Sequence, residues 1–558
     1  MSSVTKKSVY IGITICFAAM MGVGGCIALG GPMRNMFSAS VGTGTMGQNQ
    51  AALSGGIYGG ECYITGAPTI AVCPPPVDRE QYARIVENDF QDATVHPLST
   101  FSIDVDRASY ANVRRFLTSN TLPPHDAVRI EELINYFPYN YDGPSGGAGP
   151  FAIHAEAAAC PWNADHLLVR IGLKGKEIPR EKLPSSNFVF LIDVSGSMDS
   201  PDKLPLLKSS FRMLVDHLAP TDRVAIVVYA GASGLALPST PGSDRAKILA
   251  AIDQLQPGGS TAGAEGIVLA YRIAAENFVK GGNNRVILAT DGDFNVGISS
   301  DGELVRLIEE KRKEGVFLSV LGFGTGNIQD AKMEQLADNG NGNYAYIDGE
   351  NEARKVLVKE LGGTLHTIAK DVKIQVEFNP AHVKAYRLIG YENRALAAED
   401  FSDDKKDAGE LGEGHTVTAM YELIPAGNDE SVRSARPLRY QTVARSADEN
   451  AQRELFTFQL RYKLPDEEKS RLLERAVMTG ENSALSEDFR FAAAVAEFGM
   501  LLRESKLKGT ATWESAGELA NGSLGRDEDG CRAEFLELVR KAAIIPAATR
   551  GAAGGGVY

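Results

Sequence analysis

Apolar residues follow two kinds of pattern along the chain, and the changeover divides it. Between about residues 186 and 365, short unbroken apolar runs alternate with stretches whose apolar positions recur at helical spacing. Residues 188–192, 223–229, 285–290 and 316–321 read as strands buried on both faces. Residues 203–218, 246–255, 264–278 and 301–315 read as helices. Such alternation predicts an α/β domain, a mostly parallel sheet with helices on both faces. After Lys370 the pattern turns to strands, at 372–378, 385–388, 416–423, 438–440 and 454–462. With 151–156 and 166–173 they suggest one β-rich domain into which the α/β domain is inserted. Residues 401–414 read as a solvated loop. From 466 onward the pattern is helical, at 468–477, 487–503 and 532–542. Upstream, 81–89, 109–117 and 127–137 read as helices, and 101–106 alternates like a strand.

Candidate chemistry sits where the first buried strand stops. Phe188-Val189-Phe190-Leu191-Ile192 runs into Asp193-Val194-Ser195-Gly196-Ser197. Ligand sites of open α/β sheets form at the carboxyl ends of strands. Hard oxygens there suit Mg²⁺, Mn²⁺ or Ca²⁺ rather than zinc or copper. Gly258-Gly259-Ser260-Thr261 adds a glycine-rich turn with hydroxyls before a helix, and Arg285 to Asp291 is a second buried strand ending in an acid. Taken alone, Asp-x-Ser-x-Ser has an alternative reading as a helix N-cap.

An Asp-x-Ser-x-Ser motif, a Thr in a Gly-rich loop and a strand-terminal Asp-Gly together resemble the von Willebrand factor type A domain. The resemblance implies a metal-ion-dependent adhesion site in which Ser195, Ser197 and Thr261 ligate the ion directly. Asp193 and Asp291 would act largely through bound water. Residues 99–110 with 129–137, and 490–503, resemble the N- and C-terminal modules that accompany this domain in bacterial envelope proteins. Gly322-Phe323-Gly324-Thr325-Gly326 lacks dinucleotide-fingerprint spacing, and Asp291-Gly292-Asp293-Phe294-Asn295 misses the EF-hand register by one residue. Asp293 and Asn295 are instead expected on the rim of the adhesion site. Asp104 and Asp106 fall on one strand face, where a solvated or arginine-paired role is expected over a metal-binding or acid/base one.

The N-terminus points to export. Lys6 and Lys7 precede an apolar stretch from Val9 to Val23, and Val23-Gly24-Gly25-Cys26 is similar to a bacterial lipoprotein cleavage box. Cys26 is the expected lipidation site, with an uncleaved anchor as the alternative. Ile27 lacks the Asp that marks inner-membrane retention in some bacteria, which favours the outer membrane. Cys62 and Cys73 are candidates for a disulfide in an oxidising envelope. The reading therefore runs: signal and lipobox 1–26, flexible linker 27–77, N-terminal accessory domain 78–185, type A domain 186–365, β-rich domain 366–465, helical region 466–550 and tail 551–558.

With 558 residues, 44% hydrophobic and 23% charged, the composition is that of a globular protein, and the net charge of −14 argues against a nucleic-acid partner. The function expected is a non-enzymatic, metal-dependent protein-binding protein of the cell envelope, with a partner's acidic side chain completing the ion's shell. One alternative is a structural lipoprotein that keeps the metal for stability. The other, a Mg²⁺-dependent phosphohydrolase with Asp193 as nucleophile, would want a second carboxylate two residues on, where Ser195 stands.

Overall fold

The computed structural model describes residues 79–145, 149–179, 182–230, 233–259, 263–292, 301–360, 366–406, 408–432, 453–479 and 485–551. Two short strands, β1 (Gln91–Asp92) and β2 (Leu98–Ser102), lead to helices α1 (Ala108–Thr118) and α2 (Ile130–Asn135). Residues 81–89, expected to be helical, are irregular. Tertiary hydrogen bonds hold them instead: Ile85 N–H donates to Asp126 Oδ1, and Asn88 Nδ2 donates to the Leu388 and Gly390 carbonyls. The strand expected over 101–106 stops at Ser102, because the next residues turn into ion pairs described below.

Strands β3 (Phe151–Cys160) and β4 (Asn163–Gly175) then form a hairpin before the chain enters the α/β unit. That unit comprises β5 (Ser186–Asp193), α3 (Leu204–Val215), β6 (Arg223–Tyr229), β7 (Ser233–Pro241), α4 (Arg245–Asp253), α5 (Gly263–Glu276) and β8 (Asn283–Thr290). It continues through α6 (Asp301–Lys313), β9 (Phe317–Phe323), α7 (Asp330–Asn339), β10 (Tyr344–Ile347) and α8 (Glu350–Arg354). The six-stranded sheet has the order β10-β9-β8-β5-β6-β7, parallel except for the β6/β7 pair. The apolar run of β5 serves both faces, as a central strand must. Val189 and Leu191 pack with Ile267, Tyr271 and Met333 on one side, and Phe188, Phe190 and Ile192 with Phe211 and Ile248 on the other.

The chain returns through β11 (Thr367–Phe378), β12 (Val383–Ile389), β13 (Gly409–Gly412), β14 (Thr416–Pro425), β15 (Glu454–Lys463) and β16 (Arg471–Met478). One sheet has the order β1-β12-β14-β4-β3, so β4 and β14 pair across the insertion. The facing sheet is β13-β11-β15-β16, with β2 also on β11. Ile171, Leu173, Ile374, Val376, Tyr421 and Phe458 fill the space between them. Residues 468–477, expected as a helix, supply β16. Their apolar Leu473 and Val477 reach the sandwich core when this stretch pairs in a hairpin with β15. The loop expected over 401–414 contains β13, while 438–440 lies outside the described residues.

Helices α9 (Glu487–Leu502), α10 (Trp513–Asn521) and α11 (Cys531–Ile544) close the chain. α9 lies close on α2, where a Cβ at Gly499 would stand 2.9 Å from Ile130 Cγ1. Phe137, Phe491, Phe498 and Phe535 form the aromatic centre of this helical core. α1 joins two cores: Ala108 and Ala111 belong to that of the α/β unit, and Tyr110, Val113 and Leu117 to the helical one. Among the described residues, no helix is long and apolar enough to cross a membrane.

Candidate metal-binding site

β5 ends on Asp193, whose carboxylate is fully buried between the ends of β6 and β8. Its Oδ1 accepts the Ser195 N–H at 2.8 Å, an Asx turn that folds the following loop back over the strand end. Its Oδ2 faces two hydroxyls, Tyr229 at 3.3 Å and Thr290 at 3.4 Å. Burial pushes the Asp193 carboxyl up to about 6, and Asp291 adds to this, while the Ser195 hydrogen bonds and the Tyr229 hydroxyl oppose it. Ser195 and Ser197 place their Oγ atoms 2.9 Å apart. Ser195 is buried, but Gly196 is exposed and Ser197 half-exposed, so the hydroxyl pair forms the mouth.

The glycine-rich turn is fastened to this loop by its backbone. Gly258 N–H donates to the Val194 carbonyl at 2.7 Å, and Gly196 N–H donates to the Gly259 carbonyl at 3.2 Å. The turn therefore brings the chain beside Ser195 immediately before Thr261. Thr261 itself lies outside the described residues, as do Asp293, Asn295, Cys26, Cys62 and Cys73.

Asp291 comes from the end of β8 and is buried. The next residue, Gly292, has φ +100°, and a Cβ there would lie 2.5 Å from the Asn327 carbonyl oxygen. Only glycine suits that turn. Asp291 Oδ2 accepts a hydrogen bond from Lys203 Nζ at 2.8 Å, within a buried ion pair. The Lys203 side chain crosses Gly324, whose φ is +75° and where a Cβ would sit 2.3 Å from Lys203 Cε. Gly324 thus makes room for the lysine, while a Cβ at Gly322 would meet Tyr346 and Met333. Sequence reasoning did not single out Lys203, Tyr229 or Thr290. Lys203 offers one signal, ten residues after Asp193 at the start of a helix, but the Gly324 contact is tertiary.

The donor set fits a hard cation. Its oxygens are hydroxyls and carboxylates and the carboxylates are buried, although the Lys203 ammonium paired with Asp291 competes with a bound ion. Mg²⁺, Mn²⁺ and Ca²⁺ share that preference.

Comparison with known proteins identifies the units. Residues 187–360 match the von Willebrand factor type A domain, residues 76–170 the family described as von Willebrand factor, and residues 363–545 that described as uncharacterized protein YfbK, C-terminal. The chain is 46% identical over 468 residues to the uncharacterized protein YfbK of Escherichia coli K12, covering 83% of this chain and 81% of that one. The chain belongs to the YfbK family of von Willebrand factor type A domain proteins. A UPF0353 protein of Mycolicibacterium paratuberculosis is 34% identical over 149 residues, 25% of this chain and 44% of its own length. Among solved structures, a von Willebrand factor type A protein of Catenulispora acidiphila is similar at 16% identity with a TM-score of 0.40, covering 74% of this chain and 94% of its own. BatB of Bacteroides thetaiotaomicron is similar at 24% identity with a TM-score of 0.28, covering 32% and 97%.

Proposed function

We infer that this family member is a non-enzymatic protein of the bacterial cell envelope that binds a protein partner through a divalent ion held by Asp193, Ser195, Ser197, Thr261 and Asp291. The observation carrying this reading is the paired Ser195 and Ser197 hydroxyls at an open mouth, backed by buried Asp193 and Asp291. Neutral hydroxyl ligands leave an ion enough Lewis acidity to accept an outside carboxylate, while the buried acids orient water and balance charge. A nucleophilic role for Asp193 is disfavoured by its setting, since the carboxylate has no exposed surface and both oxygens face hydrogen-bond donors. The apolar leader, with Cys26 as the lipidation site, supports attachment to the membrane, and Ile27 in place of a retention Asp favours the outer membrane.

Calorimetric titration of Mg²⁺, Mn²⁺ and Ca²⁺ tests the ion site, natural sequence beside Ser195→Ala/Ser197→Ala. The expected result is one saturable site present in the natural sequence and absent from the double substitution. Equal binding by both proteins would exclude these hydroxyls as ligands. A metal-dependent pull-down from envelope extract, abolished by EDTA, then tests for the protein partner.

A further inference from the structure

Arg285 lies near the start of β8, whereas Asp291 follows its end, so the two stand at opposite ends of the parallel sheet. The Arg285 residue is 1% exposed, and among the described residues no carboxylate forms an ion pair with it. Nη1 donates to Ser319 Oγ at 2.7 Å, while Nε makes no hydrogen bond. Burial pulls its pKa down to about 10, against the attraction of Glu410. A buried guanidinium in that state is costly until an anion pairs with it.

His415, in the turn before β14, is a second buried group without a partner. It is 7% exposed, and neither ring nitrogen makes a hydrogen bond. Burial, with the charges of Arg107 and Lys174, pushes its pKa down to about 3. The ring is therefore neutral and keeps one N–H donor and one acceptor nitrogen. Both residues line a cavity of about 200 Å³ between the type A unit and the β-sandwich.

Another part of the same lining is acidic. Asp104, Asp106 and Asp338 share one guanidinium there, that of Arg394. Burial and the neighbouring Asp104 and Asp338 push the Asp106 carboxyl up, a sign of more negative charge than one arginine offsets. The two parts meet at the turn before β10. Ser319 Oγ, which takes the Arg285 hydrogen bond, also accepts the Asn343 N–H at 3.3 Å. Asp106 Oδ1 accepts the N–H of the next residue, Tyr344, at 2.8 Å. One small molecule can therefore touch both parts.

We propose that this cavity binds a small zwitterion of the α-amino-acid type, its carboxylate on Arg285 and His415 and its ammonium group toward Asp106 and Asp338. A carboxylate alone would meet the surplus acids, and a cation alone would leave Arg285 unpaired. A zwitterion makes charge-assisted hydrogen bonds at both ends. The cavity is smaller than the roughly 300–1,000 Å³ of pockets that hold drug-sized ligands, which suits a single amino acid rather than a longer peptide. The site shares no residue with the Asp193 motif, so it stands or falls independently of the metal.

The test is a thermal-shift screen of the common amino acids against the dialysed full chain, then calorimetry on those that raise its melting temperature. At least one is expected to bind saturably, with its deaminated acid and its decarboxylated amine weaker by about tenfold or more. Arg285→Met is expected to abolish this binding. It should leave the ligand-free melting temperature unchanged or higher, because an apolar side chain of similar length replaces a buried unpaired charge. No binding by any amino acid, binding unchanged in Arg285→Met, or equal binding of the deaminated acid overturns the proposal. Should Arg285→Met fail to fold, crystals of the natural sequence grown with the tightest-binding amino acid decide. Ligand density between Arg285 and Asp106 supports the site, and density elsewhere with none there refutes it.

Discussion

Lys203 carries a charge into a site that also suits a metal ion, and the two cations oppose each other. Its Nζ lies 2.8 Å from Asp291 Oδ2, so a bound ion works against a fixed positive charge a few ångströms away. Replacing Lys203 by Met is expected to tighten divalent-ion binding by roughly tenfold, the order of one unscreened charge at a partly buried site. Calorimetry against the natural sequence measures it, and weaker binding would mean that Lys203 instead organises Asp291 for the ion. A different buried network makes stability depend on pH. Glu422 accepts from Trp162 Nε1 at 2.9 Å and from Arg387 Nη2 at 2.6 Å, and lies 2.6 Å from His166 Nδ1. Burial works against a charged His166, but hydrogen bonds to Glu422 and Glu430 outweigh it and hold the imidazole above its usual range. A raised histidine pKa gives stability that is full below the unfolded value and lost as pH rises through the folded one. His166→Gln should therefore lower the melting temperature most near pH 6 and progressively less toward pH 9. A pH-independent difference would show that His166 acts by packing alone.

At the scale of elements, glycines mark where chain segments come closest. Between α7 and β10 the backbone passes Leu318 so tightly that a Cβ at Gly342 would lie 1.7 Å from the Leu318 carbonyl oxygen. Backbone cannot yield as a flexible side chain can, so Gly342→Ala is expected to cost about 2–4 kcal/mol, seen as a lowered denaturation midpoint. Gly499→Ala meets only side chains, those of Ile130 and Leu133, and should cost clearly less. Most elements of the α/β unit were legible because each strand and helix carries its own period. β5 buries alternate residues on opposite faces, so its run is uniformly apolar. β16 was misread because Arg471-Leu472-Leu473-Glu474-Arg475-Ala476-Val477 satisfies a helical period as well as an alternating one. Its hairpin with β15 settles the matter. The edge strands β7 and β10 and helices α7 and α10 were passed over. These segments are short or weakly periodic, and neighbours supply much of what holds them.

For the molecule as a whole, the type A unit is not self-contained. α1 covers part of its core through Ala108 and Ala111, and Asp106 Oδ1 accepts the Tyr344 N–H at 2.8 Å from the edge strand β10. Excising residues 186–360 uncovers that surface and removes the acceptor. The fragment is expected to melt well below the full chain and to bind a hydrophobic dye. Equal melting temperatures would show that α1 docks without contributing stability. The sandwich is discontinuous in the same sense, because the pairing of β4 with β14 spans the whole inserted unit.

The sequence alone determined the α/β insertion, the strand-end placement of Asp193 and Asp291, and the hydroxyl pair of Ser195 and Ser197. Local periodicity and turn chemistry encode those features within a few residues. It also showed that Asp104 and Asp106 are candidates for arginine partners, and the structure supplies Arg394 for both. Only the tertiary structure decided that Lys203 reaches Asp291, that 471–478 is a strand and that Asp106, Arg285 and His415 line one cavity. Each depends on residues far apart in the chain, and no local pattern records which distant groups a fold will bury together.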